Sequence, residues 1–224
     1  MTYQILSQAR TGTHYLYDYT REDRYIGEYF LPNLRVTKLG VTDEEMWTWL
    51  RNEKSIGNHH SIIVNMKGQF VEDDPDFIEK LIRHFRGYHI LTIERNPWDM
   101  FISSCCATQT NTFLNPALPA ASWQRRWYTG KEIIIPDDFK IEVDDGWVLD
   151  FINHYKIATG FINTILEEQV HTVLQYEDLN ETYLNKFFGV NTPWTNFRPM
   201  NIDYEKYIED VSYWKKYFEN KLDE

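Results

Sequence analysis

The sequence predicts an α/β protein built on a doubly wound, mostly parallel sheet flanked by helices. Three observations predict it. Short apolar runs rich in branched residues alternate with longer stretches whose apolar residues recur at helical spacing. The short runs are apolar throughout, as strands covered on both faces are. Segments carrying cations, hydroxyls and turn residues follow the strand ends, where sheets of this kind bind ligands. Right-handed crossovers are expected between the strands.

Tyr3 to Ser7 is the first strand. The turn Arg10-Thr11-Gly12-Thr13 follows and leads into a helix. Thr42-Asp43-Glu44-Glu45 forms a capping box before Met46, Trp47 and Leu50. Ser61 to Met66 is a buried strand, and Asp74-Pro75 caps a helix bearing Phe77, Ile78, Leu81 and Ile82 on one face. His89 to Ile93 is the next strand, and Asn96-Pro97 opens a helix that runs to about Ala107. Residues 108–145 read as irregular. Val148, Ile152, Tyr155, Ala158, Ile162 and Ile165 then mark a long amphipathic helix. Val170 to Leu174 is a strand, followed by a helix from about Asp178 to Phe188 that Gly189 closes. From Asp203 a polar helix carries Tyr204, Tyr207, Ile208, Val211, Trp214 and Phe218 on one side.

The chain of 224 residues is expected to form a single domain, 1–224, with an irregular acceptor or lid segment at about 108–147. Lys and Arg number 23 against 34 Asp and Glu, a net charge of -11 that argues against general binding to nucleic acid or anionic membranes. The aromatic fraction of 16% is too high for a disordered chain. The two cysteines, Cys105 and Cys106, are adjacent, so they cannot staple distant segments or build a zinc site. With no basic N-terminal region ahead of an apolar core and no apolar run near 20 residues, a reduced, cytoplasmic setting is expected.

Two segments have the chemistry of anion sites. Gln8 to His14 joins a strand to a helix, whose first N–H groups and positive dipole end suit an anion. Gly12 lets the anion approach the backbone, Thr11 and Thr13 add hydroxyls, and Arg10 adds a planar cation. The triphosphate pattern GxxxxGK[ST] is absent, and an ordinary strand–helix turn with a surface arginine fits the same residues. In the second segment, Arg95 ends a strand, Asn96-Pro97 launches a helix, and Ser103 lies two turns further on. A guanidinium and a hydroxyl so spaced suit one phosphate, each through a charge-assisted bond of about 1.5–3 kcal/mol. A capped helix with a solvated arginine and a buried serine is the plainer alternative.

Together these motifs resemble the sulfotransferase family that uses 3′-phosphoadenosine 5′-phosphosulfate (PAPS). Ala9-Arg10-Thr11-Gly12-Thr13-His14-Tyr15-Leu16 is similar to the family's 5′-phosphosulfate loop, with Ala9 in place of a proline and His14 in place of a Ser or Thr. Arg95-Asn96-Pro97-Trp98-Asp99 with Ser103 resembles its 3′-phosphate motif. Gln175-Tyr176-Glu177-Asp178-Leu179 resembles its YEDL segment, and Tyr204 to Asp210 is a looser match to its closing helix. The resemblance implies a P-loop NTPase-like sulfotransferase fold and sulfuryl transfer from PAPS to a hydroxyl or amine, leaving adenosine 3′,5′-bisphosphate. By position it implies that Arg10 binds the phosphosulfate and neutralises the leaving oxygen. Thr11, Gly12, Thr13 and His14 would cradle the 5′-phosphate, Arg95 and Ser103 the 3′-phosphate, and Tyr176 would lie near the adenine. No metal is implied.

The base is the open assignment. The family's Lys-x-His at the end of the strand after the first helix is matched here by Asn65 and Lys67, without the histidine. Lys67, its pKa lowered by desolvation, is the first candidate. His59, His60 and Glu94 are the others. The acceptor, a small molecule or carbohydrate, is expected to meet residues 108–147, with Trp123, Trp127, Trp147, Arg125 and Arg126. The acidic stretch Asp137 to Asp145 reads as a solvated loop, or as a screen against anionic acceptors. Two rival functions stand beside this one: a PAPS-binding module without catalysis, and a nucleotide-dependent kinase, against which the missing GK[ST] counts.

Overall fold

In the computed structural model the described residues are 3–8, 16, 26–28, 62–66, 79, 82–83, 86–110, 138–191 and 203–224. Several expectations lie outside them. These are Arg10 to His14, the Thr42–Glu45 box, His59, His60, Lys67, the Asp74-Pro75 cap, Trp123, Arg125, Arg126 and Trp127.

Five strands form one parallel sheet: β1 (Tyr3–Gln8), β2 (Ile26–Glu28), β3 (Ile62–Met66), β4 (His89–Glu94) and β5 (His171–Gln175), in the order β2-β3-β1-β4-β5. Four of them coincide with the expected apolar runs. The fifth, β2, lies outside the expected runs, because Ile26-Gly27-Glu28 offers one apolar residue beside a glycine. Among the described residues the helices are α1 (Pro97–Thr110), α2 (Asp145–Glu167), α3 (Glu181–Phe188) and α4 (Val211–Asp223). Helical structure reaches Thr110, three residues past the expected end near Ala107, and α2 already begins at Asp145.

The chain divides into two compact units, residues 1–94 with 154–193, and residues 95–153 with 194–224. The sheet lies in the first. Ile5, Leu6 and Ser7 are buried consecutively on β1, and Ile90 to Ile93 on β4, so both faces of the central strands are covered. On the edge strand β5 only Leu174 is buried. Ala158, Ile162, Ile165 and Leu166 bury the apolar stripe of α2 that belongs to this unit. Asn180 caps α3, its side-chain oxygen accepting from the Tyr183 N–H at 2.9 Å, and Gly189 ends it in the left-handed region at φ 68°. The helix therefore begins at Glu181, three residues later than expected, since a 3-10 turn occupies Tyr176–Asp178.

The second unit packs around Trp98, Phe101 and Phe218. Phe101 and Phe218 stack at 5.3 Å between centroids, and Trp98 meets Phe218 edge-on at 5.6 Å. Ile141 is buried and pairs with Ile208, its N–H donating to the Tyr207 carbonyl at 2.8 Å. The Gln109 side chain clamps Glu142 from both sides, donating to its carbonyl at 2.6 Å and accepting from its N–H at 2.7 Å. The acidic stretch is anchored through Ile141 and Glu142, while Asp138, Glu142, Asp144 and Asp145 are exposed to solvent as expected. The C-terminal helix is a 3-10 turn, Tyr204–Tyr207, followed by α4, with Asp210 at φ 51° between them. Aspartate tolerates that left-handed conformation, which breaks what the periodicity predicted as one helix.

Candidate functional site

The sheet order contains a topological switch point. From β1 the chain winds outward to β2 and returns through β3. From β4 it winds the other way, to β5. The direction reverses between the adjacent strands β1 and β4, and ligands of open α/β sheets bind outside the carboxyl ends at such a point.

The register shows the two strands parting there. β1 pairs with β4 only from Tyr3↔His89 to Ile5↔Leu91. Beyond that, β1 keeps its outer neighbour as far as Gln8↔Met66, and β4 keeps its own as far as Glu94↔Gln175. Across the gap the buried Ser7 hydroxyl donates to the Ile93 carbonyl at 2.9 Å and accepts from the Ile93 N–H at 3.3 Å. A short hydroxyl replaces a ladder peptide, which satisfies the buried backbone while the ladder opens.

The last residues of these strands are held in place. Gln8 donates to the Thr159 hydroxyl of α2 at 2.6 Å, and Thr159 donates in turn to the Tyr155 carbonyl at 2.8 Å. The end of β1, from which the Arg10–His14 segment departs, is therefore tied to a long helix. Glu94, exposed at the end of β4, accepts from Gln175 at 3.0 Å. Burial pushes the Tyr155 phenol up, a hydrogen bond with Thr159 opposes this, and the Glu94 carboxylate adds to the rise. Tyr155 is thus a proton donor rather than a base at neutral pH. Tyr176 follows β5 directly, half-buried at the first position of its 3-10 turn.

In the second unit, Arg95 and Asn96 alone separate β4 from α1 in the chain. Asn96 caps the helix: its side-chain oxygen accepts from the Trp98 N–H at 2.9 Å and the Asp99 N–H at 3.4 Å. Arg95 is half-buried rather than solvated, and Ser103 is buried at 2% exposure. Trp98, also 2% exposed, donates its indole N–H to Glu205 at 2.8 Å. Lys215 donates to the same Glu205 oxygen at 3.0 Å. The Trp98 bond and then the Lys215 bond hold the Glu205 carboxyl below its usual range, and the Glu205 bond raises Lys215.

Of the expected site residues, Glu94, Arg95, Ser103, Trp147 and Tyr176 are described, Glu94 and Tyr176 in the first unit and Arg95, Ser103 and Trp147 in the second. Ser7 and Thr159 lie outside the sequence motifs, Gln8, Gln175 and Glu205 lie inside them without an assigned role, and all five carry local architecture. A serine inside the apolar run Ile5-Leu6-Ser7 was the signal for the first of these. Among the described residues no group of three or more His, Cys, Asp or Glu side chains could hold a metal ion, and no helix is long and apolar enough to cross a membrane.

No family model matches the sequence, and no curated protein matches it. Among solved structures the chain is similar to a sulfotransferase from Alicyclobacillus acidocaldarius. The two share 14% identity over 99% of this chain and 93% of that chain, with a TM-score of 0.45.

Proposed function

We propose that this protein is a sulfotransferase that takes PAPS as donor and a hydroxyl or amine, on a small molecule or carbohydrate, as acceptor. The observation that carries the reading is the parting of β1 from β4. The two motifs that resemble phosphate-binding segments of the PAPS-dependent family start immediately beyond these two strand ends, at Ala9 and at Arg95. Two segments with the chemistry of anion sites, one following each strand in the sequence, suit a nucleotide phosphorylated at both ends, and a lone triphosphate would not need the second.

The chemistry of the donor set fits such a nucleotide. Arg95 supplies a guanidinium for the 3′-phosphate, with Ser103 assigned beside it. Arg10, Thr11, Gly12, Thr13 and His14 supply backbone N–H groups, hydroxyls and a cation for the 5′ end. Tyr176 contributes an aromatic ring for the adenine. PAPS, when bound, supplies an activated sulfuryl group for in-line displacement by the acceptor. The protein's part is to position the reactants and neutralise charge, with Arg10 at the leaving oxygen and Lys67 as base. A thermal shift series tests the reading: adenosine 3′,5′-bisphosphate is expected to stabilise the protein more than ATP with Mg²⁺, and labelled sulfate is expected to move from PAPS to an acceptor. Stabilisation by ATP with Mg²⁺ alone contradicts it.

One observation favours a second reading, a PAPS-binding module without catalysis. Asn65, on β3 beside β1, stands two residues before Lys67, and the histidine of the family's Lys-x-His is absent. Nucleotide binding without labelled transfer to any carbohydrate, phenol or amine selects it.

A further inference from the structure

Trp98 is fixed at both ends. Its backbone N–H is held by the Asn96 side chain at 2.9 Å and its indole N–H by Glu205 at 2.8 Å. Between these anchors the ring is buried, 5.7 Å from Phe101 and 5.6 Å from Phe218 between centroids. An indole N–H needs an acceptor when its ring is buried, and a carboxylate is the strongest one available. Glu205 is itself held: Lys215 donates to the same oxygen, and the 3-10 turn that carries Glu205 is pinned by the Ile141 N–H bond to Tyr207. Asp99 in the first turn of α1 also acts electrostatically on the Lys215 ammonium. The first turn of α1 is thereby cross-linked to the C-terminal segment at the residue that follows the cap and the proline, three positions after Arg95.

We propose that Glu205 is a positioning residue for Arg95: by fixing Trp98 it fixes the start of α1, and so aims the guanidinium that reads the nucleotide's 3′-phosphate. This rests on the PAPS reading above. A guanidinium engages phosphate with a directional fork, so a small displacement of its backbone weakens that contact without touching the rest of the nucleotide.

The test is calorimetric titration of the full chain with adenosine 3′,5′-bisphosphate and with AMP, which differ only in the 3′-phosphate. Four proteins are compared: the unsubstituted chain, Glu205→Ala, Glu205→Gln and Trp98→Phe. Trp98→Phe keeps an aromatic ring in the core and removes the donor. Glu205→Gln keeps an oxygen acceptor. The expected result is a preference for the bisphosphate that falls roughly five- to tenfold in Glu205→Ala and Trp98→Phe, with AMP affinity unchanged and the preference restored in Glu205→Gln. A merely structural contact would lower the melting temperature and leave the ratio alone. A strong preference in the unsubstituted chain that survives in both Glu205→Ala and Trp98→Phe overturns the positioning role only. Equal affinity of the unsubstituted chain for the two nucleotides overturns the PAPS reading with it.

Discussion

The Ser7 hydroxyl bridges to the Ile93 peptide, donating to its carbonyl at 2.9 Å and accepting from its N–H at 3.3 Å, at the place where β1 and β4 cease to pair. Both groups are buried, so neither side of the Ile93 peptide can turn to water instead. Serine is short enough to sit between two strands and carries both a donor and an acceptor.

Ser7→Ala should therefore destabilise the fold by about 1–3 kcal/mol, the cost of leaving a buried peptide unsatisfied. Urea denaturation measures it. A loss within experimental scatter of zero would mean that the Ile93 peptide finds another partner.

The Glu205–Lys215 pair predicts a pH window. Both side chains keep more than a third of their surface in water, 39% and 44%, so screening limits the pair to under about 1 kcal/mol. The Glu205 carboxyl is held low by the Trp98 indole first and Lys215 second, so its contribution is present above the unfolded carboxyl pKa of about 4.3 and is lost as pH falls through the lower folded value. Lys215 is raised, chiefly by Glu205, so its contribution is full below the unfolded pKa of about 10.4 and is lost as pH rises through the higher folded value. The stability difference between the unsubstituted chain and Glu205→Gln should be constant through the neutral range and shrink at both extremes. Denaturation curves at several pH values check it, and a difference that grows on acidification would contradict the assignment.

Cys105 and Cys106 are buried thiols. Burial first, then Asp144 and Cys106, push the Cys105 thiol up to about 12, so it is fully protonated near neutrality. Neither thiol should react with an aromatic disulfide reagent at pH 8 in the native protein, and both should react after unfolding in guanidinium. Rapid native labelling of either one would show that the core around Trp98 and Phe101 opens on that timescale.

Much of the sheet was legible because its central strands are buried on both faces, which leaves unbroken apolar runs such as Ile90-Leu91-Thr92-Ile93. The three-residue strand β2 was not, since pairing along an edge needs no apolar pattern. The C-terminal segment misled for another reason. A 3-10 turn places residues i and i+3 together much as an α-helix does, so Tyr204, Tyr207 and Val211 read as one stripe across the turn at Asp210. At the site, Arg95 and its cap Asn96 were visible as a strand end followed by a helix start. The link from Trp98 to Glu205 spans 107 residues of chain, and no local pattern announces such a bond.

In the proposed function the residues that follow β1 and β4 hold a nucleotide phosphorylated at both ends. The most direct measurement is the binding ratio of adenosine 3′,5′-bisphosphate to AMP in the unsubstituted chain and in Arg95→Ala. The account predicts a clear preference for the bisphosphate that Arg95→Ala reduces by roughly tenfold or more, the loss expected for a charge-assisted phosphate contact. A preference that Arg95→Ala leaves unchanged would contradict it.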